Sequence, residues 1–181
     1  LCLPLSTTPA AAETLTPPLP VGNVLLQAHR GGPALGAPEN SLALFQRAID
    51  SGIVDRIETD LHITSDNVLV IMHDQALPAR CTSAGALIHQ LTWAQLQEVR
   101  CGFESAPTIP GDGKGMQLNL EMKSYTGITA AAKTDFAHRA VQAVLESGLP
   151  ATQVMLSSYY WRDYAGVAQA EGPGIFFSAL E

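Results

Sequence analysis

Basic residues are scarce in this chain of 181 residues. Lysine and arginine together number 10 against 17 aspartates and glutamates, so the formal net charge is −7. A broad electrostatic surface for nucleic acid or for an anionic membrane is therefore not expected. A local pair of cations could still hold a single phosphate group, so this composition favours a small ligand over a polymer.

Long apolar runs are also missing after residue 20, and none is long enough to span a bilayer. No internal repeat or low-complexity tract interrupts the chain. Hydrophobic residues make up 46% of the sequence and charged residues 15%, which provides material for one core but not obviously for two. We therefore predict a compact single domain over residues 23–181.

The first 22 residues have neither an initiating methionine nor a basic segment. Residues 1–5 are nevertheless apolar, residues 9–13 resemble a small-residue cleavage site, and residues 14–20 look like a Pro/Thr linker. We predict a signal-peptide remnant and linker over residues 1–22, with export to the periplasm or secretion. The alternative is a clipped reading frame whose first residues carry no signal, and a cytoplasmic location stays open.

Cysteine is rare, with three residues in the chain. Signal removal would also remove Cys2 and would leave Cys81 and Cys101. An oxidising compartment could pair these two, whereas two unrelated loop thiols are the alternative. The sequence does not supply the Cα separation that a disulfide needs, so both alternatives stay open.

Strand and helix patterns alternate from residue 23 onward. The predicted strands cover residues 24–28, 56–63, 68–72, 117–122, 154–157 and 174–179. The predicted helices run from Asn40 or Ser41 to Gly52, over a short stretch after Thr92, and over residues 129–147 and 161–170. Repeated β-then-α order predicts a parallel sheet with helices outside it.

Reactive side chains lie at or near the ends of these predicted strands. They comprise two imidazoles, three carboxylates and two cations, which suit metal-assisted cleavage of a phosphate ester. They are His29, Arg30, Glu58, Asp60, His73, Glu121 and Lys123. Period-two alternation places Glu58 and Asp60 on one face of their strand, and it places Glu121 and Lys123 on one face of a later strand.

The order and composition of these motifs resemble the glycerophosphodiester phosphodiesterase family. The matching blocks are His29-Arg30-Gly31, Pro38-Glu39-Asn40, Glu58-Thr59-Asp60, Thr64-Ser65-Asp66, His73-Asp74 and Glu121-Met122-Lys123. Any one block would be weak, but their joint occurrence in order is specific. The likeness extends over roughly residues 23–181.

The resemblance implies a TIM-type (β/α)₈ barrel with its active site at the carboxyl ends of the strands. The six predicted strands fall short of eight. Residues 107–115 also run straight into the next strand, where family members usually carry another helix. We therefore expect a barrel that is incomplete at the C-terminus of this chain and whose open edges favour association.

The resemblance assigns Glu58, Asp60 and Glu121 as ligands of one divalent cation. Ligation by oxygen alone favours Mg²⁺ or Ca²⁺ over Zn²⁺. The alternative for Glu58 and Asp60 is an ordinary pair of solvated acids on a strand.

His29 and His73 are predicted to be the general acid and base, because imidazole titrates near neutral pH. Arg30 and Lys123 would hold the phosphoryl oxygens. Neighbouring residues would support these groups: Glu39 and Asn40 would support the site or cap a helix, and Asp74 would orient His73 or cap a turn. We expect structural or solvent-facing roles for His62, His89 and His138.

The predicted function is metal-dependent hydrolysis of small glycerophosphodiesters to an alcohol and sn-glycerol 3-phosphate, in lipid and glycerol metabolism. One alternative is a lysophospholipase-D-like phosphodiesterase, which an apolar groove near the site would favour. A second alternative is an incomplete barrel that binds its ligand without turnover. The metal, the alcohol moiety and the oligomeric state stay open.

Overall fold

The computed structural model describes residues 24–101 and 116–180. The predictions for the signal remnant and linker, and for the stretch 107–115, lie outside the described residues. Six strands and four α-helices occur in the described part. The strands are β1 (Gln27–Ala28), β2 (Arg56–Ile63), β3 (Leu69–Ile71), β4 (Gln117–Met122), β5 (Val154–Ser158) and β6 (Phe176–Ala179). The helices are α1 (Leu42–Ser51), α2 (Trp93–Gln97), α3 (Ala130–Glu146) and α4 (Trp161–Glu171).

Five of the strands form a parallel sheet in the order β1-β2-β4-β5-β6. β1 and β6 lie at its two edges and are not paired with each other within the described residues. The predicted open, incomplete barrel is therefore confirmed for this part of the chain. No helix in residues 24–101 or 116–180 has the length and apolar character that crossing a membrane requires.

The prediction of a wholly parallel sheet is wrong for β3. This strand pairs antiparallel to β2, with His62 opposite Val70. The reason is the connection: only residues 64–68 join the two strands, and a parallel crossover needs a dozen or more residues. The β2–β3 pair is therefore a hairpin, and five of the six predicted strands belong to the barrel.

β1 is also shorter than the predicted strand over residues 24–28. Its Ala28 pairs with Ile57, and the chain then turns away at Arg30, whose φ is 52°. Further along β2, Leu61 pairs with Met122 of β4 on one side and with β3 on the other. β3 therefore pairs with the part of the β2 edge that the short β1 does not reach.

The two faces of the parallel sheet differ in polarity. Ile57, Leu118 and Val154 lie side by side in register and are buried. They belong to the main core together with Phe136 of α3 and Tyr164 of α4, where each fully buried large side chain contributes about 2 kcal/mol. Because successive residues of a strand face opposite sides, the polar residues that alternate with these apolar ones along β2 and β4 lie on the other, inner face of the sheet.

α1 shows how a local signal fixes an element's limits. Of the two predicted caps, Ser41 is the N-cap, because its Oγ accepts a hydrogen bond from the backbone N–H of Leu44 at 3.2 Å. Gly52 ends the helix with a φ of 66°, a conformation that glycine adopts without strain. Asn40 is therefore not the N-cap of α1.

Residues 74–101 form a smaller unit against β3, which we call the disulfide lobe. Its buried residues Leu77, Cys81 and Ile88 form a second hydrophobic cluster with Val70 of β3. Cys81 and Cys101 are joined by a disulfide across 20 residues, which decides between the two alternatives that the sequence leaves open. The lobe is therefore covalently closed beside β3.

Exposed apolar side chains mark both edges of the sheet. Leu26, next to β1, is 51% exposed, and Phe176 of β6 is 61% exposed. Unpaired edges with apolar side chains favour association, so we expect the 181-residue chain to form oligomers as its concentration rises. Light scattering coupled to size-exclusion chromatography measures this directly.

The double variant L26K/F176K should shift the chain towards the monomer, because charged edge residues oppose strand pairing. The matched control is Leu145→Lys, which changes an exposed leucine on α3 away from both edges. A wild-type chain that stays monomeric at every concentration would show that these edges do not drive association.

Candidate active site

Three carboxylates meet on the inner face of the sheet. Glu58 and Asp60 lie on β2, and Glu121 lies on β4 directly opposite Asp60 in the strand register. All three are buried. One ligand oxygen from each lies within 4.8 Å of the other two, so the structure brings together the three residues predicted as metal ligands.

Neighbouring groups hold two of these carboxylates in place. The backbone N–H of Arg30 donates to Glu58 Oε2 at 2.7 Å, and Asn40 Nδ2 donates to Asp60 Oδ2 at 2.9 Å. The hydroxyl of Thr59 donates to Asn40 Oδ1 at 2.8 Å, which fixes the orientation of the amide. Asn40 therefore supports the site and does not cap α1.

The turn after β1 aims the Arg30 amide at Glu58. Arg30 and Asn40 both have positive φ, 52° and 55°, and the Asn40 N–H donates to the Arg30 carbonyl at 2.9 Å. Gly31 has a φ of 85°, and an added Cβ would lie 2.7 Å from the Phe45 ring. The His-Arg-Gly motif therefore needs glycine for both its backbone conformation and its close packing.

Two cations border the carboxylates. Lys123 Nζ lies 2.7 Å from Glu121 Oε1 and 3.1 Å from Asp60 Oδ1. Burial alone would lower the pKa of Lys123, but the hydrogen bond to Glu121 and the charges of Asp60 and Glu121 outweigh it and raise the pKa. Arg30 Nε lies 3.8 Å from Asp60 Oδ2, and its NH1 lies 3.1 Å from Glu39 Oε2. The site therefore holds permanent positive charge.

The two predicted acid–base histidines occupy different settings. His29 Nε2 lies 4.0 Å from Glu58 Oε2, and its side chain is 69% exposed. His73 follows β3, and its Nδ1 lies 2.8 Å from Asp74 Oδ1, the orienting contact expected of Asp74. The β2–β3 hairpin reverses the chain direction, so His73 lies beside β2. The backbone carbonyl oxygen of His73 lies 3.1 Å from His62 Nε2.

The remaining histidines have structural surroundings. His62 is buried, and desolvation lowers its pKa. The ring of His89 stacks on Tyr125 with the centroids 3.8 Å apart. His138 Nδ1 lies 2.7 Å from Glu171 Oε1 on the outside of α3 and α4. None of these contacts involves the three carboxylates.

The carboxylates fit a hard metal ion. The buried oxygen Glu58 Oε1 has no hydrogen-bond partner among the described residues, and Asp60 Oδ1 is paired with the ammonium of Lys123 at 3.1 Å. Burial, together with the charges of Asp60 and Glu121, raises the pKa of Glu58 to about 7. A divalent cation takes oxygen ligands and would relieve this repulsion, so the triad can hold a metal.

The raised pKa of Glu58 predicts how stability depends on pH when metal is chelated. The folded state keeps the Glu58 proton up to about pH 7, whereas the unfolded state loses it near 4.5. This group's contribution to the free energy of unfolding is therefore fully present below pH 4.5 and should fall by about 3 kcal/mol as the pH rises through 7. Denaturant unfolding from pH 5 to 8 measures the loss.

Glu58→Gln is the matched variant for this measurement, because it removes the titrating group and keeps the shape. The difference in stability between the variant and the wild type should grow in favour of the variant as the pH rises. His62, whose pKa is lowered, changes the stability with pH in the opposite direction. Its contribution is the same in both proteins, so it cancels in the difference between them. Parallel profiles for the two proteins would contradict the assignment.

Sequence comparison matches the chain to a known protein family. The sequence pattern of the glycerophosphoryl diester phosphodiesterase family matches residues 29–173. A glycerophosphodiester phosphodiesterase of Caldanaerobacter subterraneus is 30% identical over 121 residues, which cover 58% of this chain and 49% of that protein. The chain thus spans about half the length of this relative.

Two solved structures share the fold. A glycerophosphodiester phosphodiesterase from Parabacteroides distasonis has a TM-score of 0.68 at 25% identity, and the match covers 86% of this chain and 64% of that protein. A phosphodiesterase from Oleispira antarctica, in complex with the product sn-glycerol-3-phosphate, has a TM-score of 0.64 at 24% identity and covers 85% and 64%. These likenesses confirm a TIM-type architecture. Because the matched family pattern covers most of the sequence, this chain belongs to the glycerophosphoryl diester phosphodiesterase family.

Proposed function

We propose that this protein hydrolyses glycerophosphodiesters to an alcohol and sn-glycerol 3-phosphate with the help of Mg²⁺ or Ca²⁺. The observation that carries the proposal is the buried triad of Glu58, Asp60 and Glu121, which has cations on its border and His29 beside it. The product complex of the Oleispira relative supports the choice of substrate.

Arg30 and Lys123 would bind the phosphoryl oxygens. Both cations already lie within ion-pair distance of Asp60. A phosphate bound beside them would replace part of this pairing with ion pairs to its own oxygens. Their positive charge would also balance the negative charge that grows on phosphorus-bound oxygens in the transition state. A metal held by the triad would add Lewis-acid stabilisation of those same oxygens.

His29 and His73 would carry the two protons that hydrolysis moves. One imidazole takes a proton from the attacking hydroxyl or water as the new P–O bond forms. The other gives a proton to the alkoxide that leaves as the old P–O bond breaks. Asp74 holds Nδ1 of His73, so Nε2 is the nitrogen that would exchange the proton.

The test is product analysis with glycerophosphocholine, glycerophosphoethanolamine and glycerophosphoglycerol. We expect each to release sn-glycerol 3-phosphate, which a coupled dehydrogenase assay detects, and we expect Asp60→Asn to remove that signal. Ligand binding without product from any of the three would favour the alternative of a binding protein. No binding and no product would overturn the proposal.

We also propose that the protein works outside the cytoplasm, in the periplasm or after secretion. The disulfide between Cys81 and Cys101 supports this location, because disulfides persist in oxidising compartments. Fractionation of cells that express the full natural reading frame would test the proposal. Recovery of the protein in the cytoplasm with free thiols would contradict it.

A further inference from the structure

A cavity of about 360 Å³ lies between β3 and the disulfide lobe. This volume falls within the range of small-molecule sites in proteins. Most of its wall is apolar. The apolar lining includes Val70, Met72, Leu77, Ile88, Trp93 and Leu96.

One end of the cavity reaches the candidate active site. Glu39, Asn40 and His73 line it, and each of these also belongs to the site: Glu39 pairs with Arg30, Asn40 binds Asp60, and His73 is a proposed acid–base group. The three metal-binding carboxylates do not line the cavity. The cavity therefore opens beside residues of the candidate site and continues along a mostly apolar wall that also includes Arg80 and Gln97.

We infer that this cavity binds the apolar part of the substrate, so that the preferred phosphodiester carries an acyl or alkyl chain on one of its two alcohols. The inference rests on the proposed function and specifies its substrate class. A diester whose phosphorus lies near Arg30 and Lys123 directs one substituent past His73. Glycerol and other small polar alcohols gain little from an apolar wall, whereas every methylene that enters it is removed from water.

The size of the effect follows from the burial of methylene groups. Each one placed in the cavity should tighten binding about fourfold, until the space is filled. A series of n-alkyl phosphates from ethyl to octyl tests this without turnover, because these monoesters have a phosphate for the cations and a chain for the cavity. We expect the dissociation constant to fall stepwise along the series.

The fluorescence of Trp93, which lines the cavity, reports binding there. The chain has two tryptophans, and Trp161 lies elsewhere, on α4, with Arg162 over its ring. In a Trp161→Phe background, octyl phosphate should shift the emission of Trp93 to shorter wavelength, whereas inorganic phosphate should not. This readout is independent of catalysis, so it still tests the cavity if no diester is hydrolysed.

Leu96→Phe fills part of the cavity and should remove most of the dependence on chain length. Leu91→Phe is the matched control, because Leu91 packs in the same cluster without lining the cavity, and it should keep the dependence. A melting curve for each variant identifies loss of folding. Affinities that do not change with chain length, or a dependence that Leu96→Phe leaves intact, would overturn the inference, whereas hydrolysis of glycerophosphocholine would still support the proposed function.

Discussion

Replacing either His29 or His73 with alanine is expected to lower the turnover of a glycerophosphodiester by about 10²-fold or more, because each change removes one proton-transfer partner. His29 reaches the triad through Glu58, 4.0 Å away. Asp74 contacts Nδ1 of His73 at 2.8 Å. Steady-state kinetics with glycerophosphocholine, at saturating metal, measures the loss.

His138→Ala is the control for this prediction. His138 also pairs with a carboxylate, Glu171 at 2.7 Å, but it lies on the outside of the helices and its loss should leave turnover unchanged. Melting temperatures separate chemistry from stability. Equal losses of activity at His29, His73 and His138 would show that the assay reports folding and would remove the acid–base assignment.

Removing divalent metal is expected to abolish hydrolysis, and adding Mg²⁺ or Ca²⁺ is expected to restore it. Without a cation, ligand oxygens of Glu58, Asp60 and Glu121 lie within 4.8 Å of one another, and the buried Glu58 Oε1 lacks a hydrogen-bond partner in the described part of the chain. Dialysis against a chelator, followed by titration with each metal, gives both the activity and the apparent affinity.

Two variants sharpen the metal experiment. Asp60→Asn should stay inactive at any metal concentration, because it removes a ligand charge, whereas Glu146→Gln, on the exposed end of α3, should behave as the wild type does. Metal should also raise the melting temperature of the wild type, since it binds only the folded triad. Hydrolysis that continues unchanged in excess chelator would exclude the triad as a required metal site.

Sequence patterns predicted most of the elements because their signals are local. α3 lies within one residue of its predicted ends, and its Thr129 Oγ1 accepts from the Ala132 N–H. The common orientation of Glu121 and Lys123 was likewise predictable from strand alternation, and the 2.7 Å ion pair between them confirms it. Such features depend on neighbours in sequence, which a single sequence displays.

The direction of β3 could not be deduced from its periodicity. Apolar alternation predicts a strand but contains no information on whether its partner runs parallel or antiparallel, so the short connection over residues 64–68 was the signal to use. The role of Asn40 was harder still to predict. Its hydrogen bond to Asp60 depends on a positive φ and on a turn 10 residues earlier at Arg30, which only the folded chain brings together.

The pairing around β2 has a consequence for how this protein can vary. β1, β3 and β4 all pair directly with β2, so His29, His73 and Glu121 are each positioned from one common strand. The chain between His73 and β4 is anchored at both ends by that strand. Insertions, deletions or a replaced lobe in this interval can therefore change the surroundings of a substrate while the reacting groups keep their positions. Substrate preference and chemistry can thus evolve, or be engineered, separately in this chain.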